Sequence, residues 1–126
     1  MRRSIAIATL LTVATIAPLS AVSAKGAMAS AVGNTLIVDY GKEGKLTFKL
    51  KADGSFTMVT PTGAPISGHW LADDKYMCTI TTQPVAKPGN SDRCEQILYP
   101  DKKVGDTWKQ VDSYGDPVTL TIQRGQ

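Results

Sequence analysis

The sequence predicts an all-β domain: an antiparallel up-and-down meander of about eight short strands closed into a small barrel, with a two-sheet β-sandwich as the alternative. Three observations carry this expectation. Segments of about six residues rich in β-branched and aromatic side chains recur from Thr35 to the C-terminus. Turns bearing Gly, Pro or Asp separate them, and no helical period appears after the first residues. Closing such a sheet into a barrel would bury one apolar face and remove its exposed edges.

The N-terminus reads as a targeting segment. Met1-Arg2-Arg3, an apolar run from Ile5 to Ala21 and the small residues Val22-Ser23-Ala24 follow the order of a secretory signal peptide. Residues 1–24 are assigned to it, with cleavage before Lys25; Ala27-Met28-Ala29, with cleavage before Ser30, is the second choice. A membrane anchor would need about 20 strongly apolar residues, and the threonines and Pro18 fit that poorly. No cysteine lies here to carry a lipid. Residues 25–33 are expected to form a flexible lead and residues 34–126 a single β-barrel domain, with no membrane span once the signal is removed. The location expected is the periplasm or the exterior of a Gram-negative cell.

Charge is uninformative once that segment is set aside. The full chain has a net charge of +3, but residues 25–126 carry 12 Lys and Arg against 11 Asp and Glu. Basic residues are dispersed, so no electrostatic footprint for nucleic acid is present.

Thr35 to Tyr40 is the first predicted strand, ended by Gly41-Lys-Glu-Gly44. Lys45 to Lys51 shows strict period two, with Leu46, Phe48 and Leu50 on the buried face and lysines and a threonine on the other. Asp53-Gly54 suits a tight hairpin, and Ser55 to Thr60 returns with Phe56 and Met58 inward. After Pro61 to Pro65, the strand Ile66 to Leu71 places Ile66, Gly68 and Trp70 inward and His69 outward. Lys75 to Thr81 is expected to turn Tyr76, Cys78 and Ile80 inward. Arg93 to Tyr99 follows, with Cys94, Gln96 and Leu98 sharing a face with the inward set. Asp106 to Asp112 presents Trp108 and Gln110, and Pro117 to Gln123 closes the chain with Val118, Leu120 and Ile122 inward. Outward faces of lysine, threonine and aspartate argue against a transmembrane barrel.

The two cysteines organise the second half. Cys78 and Cys94 lie in strands on either side of Thr82 to Asp92, whose prolines and Gly89-Asn90 mark a long surface loop. Neither a Cys-x-x-Cys spacing nor a histidine cluster accompanies them, so a structural disulfide is expected rather than metal or redox chemistry.

The run Ala52-Asp53-Gly54-Ser55-Phe56, then Gly68-His69-Trp70, the cysteine strand and Gly105-Asp106-Thr107-Trp108 resembles small secreted calycin-like barrels of Gram-negative bacteria. The resemblance implies an eight-stranded barrel of avidin or lipocalin style. Characterised proteins of that shape include periplasmic inhibitors of metalloproteases and of lysozyme. This chain departs from both: its cysteine pair lies mid-chain rather than near the N-terminus, and the lysozyme inhibitors' signature loop has no match. No inhibitory residue carries over.

His69 is the sole histidine, which removes His-His metal sites, and the aspartates Asp53, Asp73, Asp74, Asp101 and Asp116 fall in turns, where they serve the local backbone. No catalytic residue, metal ligand or cofactor is expected. The function expected is a non-enzymatic binding module, an inhibitor or envelope-associated protein, that acts through end loops on an unknown protein of the cell envelope. The contacts would come from Val85, Lys87 and Asn90. The alternative is a small-ligand carrier whose pocket is lined by Trp70, Tyr76, Gln96, Trp108 and Gln110. A closed barrel of this kind is expected to be a monomer.

Overall fold

The computed structural model describes residues 27–126, so the signal-peptide assignment lies outside the described residues. Eight antiparallel strands follow one another: β1 (Thr35–Asp39), β2 (Lys45–Leu50), β3 (Ser55–Val59), β4 (Pro65–Ala72), β5 (Tyr76–Gln83), β6 (Asp92–Gln96), β7 (Thr107–Val111) and β8 (Pro117–Gln123). They form one sheet in the order β6-β5-β4-β3-β2-β1-β8-β7. It is the expected meander, strongly curled into a half-barrel. The ladder does not close: β6 and β7 are the two edges, and no backbone pairing joins them.

The apolar faces drive the curl. Leu36, Leu50, Phe56, Trp70, Val118, Leu120 and Ile122 are buried together on the concave side, as period two predicts for β2, β3, β4 and β8. Asp53-Gly54 makes the expected hairpin, with Gly54 at φ 87° and the Asp53 carboxylate accepting the Ser55 N–H at 2.8 Å. Gly68 faces inward at a register shift between β4 and β5, where a β-carbon would collide with the Ile80 carbonyl oxygen.

Two strands correct the sequence reading. On β5 the buried residue is Met77, while Tyr76 is exposed and Cys78 lies on the outer face with it. On β6 Arg93 and Glu95 turn inward, and Cys94 and Gln96 are exposed. A single step of phase moves every side chain of a strand to the other face. The disulfide does form, between directly opposed Cys78 and Cys94, but on the outside of the sheet.

The lead also differs from expectation. Ala27–Ala31 forms a short helix, α1, whose Met28 is 5 % exposed and whose Ala31 is fully buried in the core. Three of its five residues are alanine, the strongest helix former, and Met28 and Ala31 pack into the core. The C-terminus fastens this end: the Gln126 side-chain amide donates to the Asn34 and Leu50 carbonyls, each at 2.9 Å, and Thr35 Oγ1 donates to the Gly125 carbonyl. The curled sheet therefore has a helix end, with α1 and the turns at 51–54, 73–75 and 97–106, and a loop end, with the turns at 40–44, 60–64, 84–91 and 112–116. Among the described residues no helix is long and apolar enough to cross a membrane.

Candidate functional site

The polar centre of the molecule is a cluster that spans the β6–β7 gap. Arg93 projects inward from β6 and donates through Nε to Glu95 Oε1 at 2.7 Å and through Nη2 to Asp112 Oδ2 at 3.1 Å and to the Tyr40 hydroxyl at 3.2 Å. The Tyr40 hydroxyl donates to the same Asp112 oxygen at 3.0 Å. The other Asp112 oxygen accepts the N–H groups of Tyr114 and Asp116 at 2.9 and 2.8 Å, which builds the turn at 112–116. Glu95 completes the span by accepting the Ser113 N–H at 2.7 Å and its hydroxyl at 2.8 Å. The Arg93 guanidinium also lies 4.6 Å from the centre of the Tyr114 ring, a cation–π contact.

Electrostatics follow from this arrangement. The Asp112 side chain is 4 % exposed, and burial by itself would raise its pKa. The Asp116 N–H, the Tyr40 hydroxyl, the Tyr114 N–H and the Arg93 charge outweigh burial and hold the carboxyl below its ordinary value. Burial raises the Tyr40 phenol, helped by its bond to Asp112. Burial opposes the Arg93 charge, yet the Glu95 carboxylate and the Tyr40 phenol raise its pKa. Each ionised group is thus paired, the condition under which charge is tolerated away from water.

Two concave regions meet at this cluster. Inside the half-barrel lies an apolar cavity of about 80 Å³, walled by Leu36, Phe48, Met77, Trp108 and Leu120, with Arg93 and Asp112 at its polar end. Outside, at the loop end, a shallow cleft of about 250 Å³ runs between Tyr40, Glu43, Pro61, Tyr114 and Asp116, with Arg93 and Asp112 in common with the cavity. The loop from Pro84 to Ser91 stands at the same end. Val85 is 86 % exposed, and Lys87 and Asn90 are exposed with it. The loop base is pinned by the Thr81 N–H bonding the Ser91 carbonyl at 2.8 Å and by the disulfide below.

The residues expected to line a pocket separate. Trp108 lines the cavity, with Nε1 donating to Gln110 Oε1 at 2.9 Å. Gln110 and Gln96 line it too, and the Gln110 side chain donates to the Gln96 carbonyl at 3.4 Å. Trp70 is 2 % exposed, does not line the cavity, and donates Nε1 to the Lys51 carbonyl at 2.8 Å, which fixes it as a core residue at the helix end. The Tyr76 side chain lies on the outer face. Sequence reasoning passed over Tyr40, Arg93, Glu95 and Asp112. The available signal was Arg93 and Glu95 two apart on a strand with no apolar alternation, the mark of an edge whose inward side chains face something other than a core.

His69 is exposed on the outer face of β4, and no group of three or more His, Cys, Asp or Glu side chains that could hold a metal ion occurs among the described residues. No buried side-chain polar atom is left without a partner among the described residues, so the cavity's polar end is internally satisfied. Compared with known proteins, the chain matches no family model, no curated protein and no solved structure.

Proposed function

We propose that this is a non-enzymatic binding module of the periplasm or cell exterior that engages a protein of the cell envelope through its loop end. The observation that carries the reading is the conjunction there of an open cleft and an exposed loop on a rigid base. The cleft is floored by the Arg93–Asp112–Tyr40 cluster, and the loop, with Val85 almost wholly in solvent, is stapled at its root. A loop held at its base loses less conformational freedom on binding than an untethered one. Tyr114, 74 % exposed and supported from behind by Arg93, supplies the rigid aromatic surface that interfaces favour. The disulfide suits an oxidising compartment, and the calycin-like resemblance is compatible with a barrel that presents end loops.

Deleting Val85–Gly89 tests this reading. Capture of the envelope partner should be lost while the melting temperature stays unchanged, and unaltered capture by the deletion variant would refute it. The internal cavity favours a second reading, a small-ligand carrier. Its volume of about 80 Å³ is well below the roughly 300 Å³ at which ordinary ligand pockets begin, so this reading would require the half-barrel to widen. An adduct of a few hundred daltons in native mass spectra of gently purified protein would support the carrier.

A further inference from the structure

The gap between β6 and β7 has main-chain consequences that can be read from the ladder. In an antiparallel pair, opposed residues alternate between bonded and unbonded. The Ser91 carbonyl accepts from the Thr81 N–H and the Ile97 N–H donates to the Lys75 carbonyl. With period two, Arg93 and Glu95 then bond β5, while Asp92, Cys94 and Gln96 direct N–H and C=O away from it, toward the gap. On β7, the bonds from the Asp112 N–H to the Asp116 carbonyl and from the Ile122 N–H to the Asp106 carbonyl place Trp108 and Gln110 in bonded pairs with β8. Thr107, Lys109 and Val111 therefore present their main-chain groups to the gap from the other side.

Everything that crosses the gap involves a side chain. Arg93 reaches Asp112, Glu95 reaches Ser113, and Gln110 reaches the Gln96 carbonyl. Neighbouring strands lie about 4.8 Å apart, and an arginine and an aspartate meeting end to end span more than one such step. These bridging side chains also come from the inward faces, so they form a floor beneath the gap and leave most of the edge groups above it unoccupied.

We propose that the β6–β7 gap is a strand-addition site for an extended, basic polypeptide segment. Only an extended backbone offers donors and acceptors at the period that both edges present. The basic character follows from charge. Asp92, Asp116 and Glu43 lie at or beside the loop-end mouth of the gap, and none makes an ion pair with another described residue, while Arg93 is neutralised by Glu95 and Asp112. Alternate side chains of the added strand would point inward onto the bridging side chains that floor the gap. The backbone pairing at this site needs neither the 84–91 loop nor the cleft, although its acidic mouth shares Glu43 and Asp116 with the cleft.

Hydrogen exchange by NMR on the full mature domain tests the proposal with a defined probe, a capped octapeptide of alternating lysine and valine. Without peptide, the amides of Cys94, Gln96, Lys109 and Val111 exchange fast; slow exchange there in the free monomer would show the edges already paired and overturn the proposal. With millimolar peptide these four amides slow by about tenfold or more. The same peptide N-methylated at alternate residues, or with lysine replaced by glutamate, produces no such slowing. Gln96→Pro and Val111→Pro each remove an N–H that bonds nothing inside the fold, a substitution edge strands tolerate, and each weakens peptide protection while leaving the folded spectrum intact. No protection at millimolar peptide, or protection that instead tracks protein concentration through pairing of two copies, refutes an extended basic segment as the occupant.

Discussion

Removing the Arg93–Asp112 pair by a double-mutant cycle puts the structural account under direct strain. Arg93→Met keeps the apolar stem and deletes the charge; Asp112→Asn keeps the shape and deletes the opposite charge. At 3.1 Å two bare unit charges would attract by about 5 kcal/mol at an effective dielectric of about 20. That is an upper bound, because Arg93 is 34 % exposed and shares its charge with Glu95. A charge-assisted hydrogen bond is worth about 1.5–3 kcal/mol, so the expected coupling is about 2 kcal/mol. Arg93→Met alone should cost more, about 3 kcal/mol, because Asp112 and Glu95 are left charged without their cation. Urea unfolding of the four proteins at neutral pH measures all of this. The pH dependence has a fixed sign: Asp112 is depressed in the folded state, so its contribution is present above the ordinary carboxylate range near 4 and is lost as pH falls through the depressed value. The wild type should therefore lose stability below about pH 4 more steeply than Arg93→Met does. Coupling below about 0.5 kcal/mol, the range of an exposed pair, would show that the cluster does not hold the two edges together across the gap.

Further outcomes follow from the packing. Gly68→Ala drives a methyl into the Ile80 carbonyl of the neighbouring strand, and since backbone cannot rotate away the cost should be about 3 kcal/mol or more; a melting temperature equal to wild type would refute the register of β4 on β5. A domain beginning at Ser30 lacks Met28, whose burial predicts a loss of about 2–4 kcal/mol relative to one beginning at Lys25, and equal melting of the two would mean that α1 is not part of the core. Reducing Cys78–Cys94, with a separation of 16 residues, should destabilise the domain by about 3 kcal/mol; unchanged denaturant midpoints with and without reductant would contradict this.

Legibility in the sequence varied with how much each strand depends on distant partners. β2 and β8 alternate cleanly and are buried on one face, so local pattern decides their phase, and Asp53-Gly54 names its own hairpin. The cysteine pairing was also readable, since strands around one loop must be antiparallel neighbours. β5 and β6 misled because Tyr76, Cys78 and Ile80 look like an inward set. Their true phase depends on a register shift at Gly68 in β4 and on what lies across a gap from β6, both long-range facts. Arg93 and Glu95 point inward because Asp112 and Ser113 wait on the opposite edge, and nothing within about ten residues of Arg93 announces them. Closure into a barrel was expected from the liability of free edges; here the edges are bridged by side chains instead. Trp70 is the converse case: an aromatic that suggested a ligand contact is satisfied by the Lys51 carbonyl within the core.

Site-specific photo-crosslinking in the native host tests the loop-end claim most directly. A photoreactive residue is placed in turn at Val85 and Tyr114 on the loop end and at Leu71 and Tyr76 on the outer face of β4 and β5, all of them exposed. The account predicts one discrete protein adduct from Val85 and Tyr114 and none from Leu71 and Tyr76. Adducts confined to Leu71 and Tyr76, or none from any of the four, would contradict it.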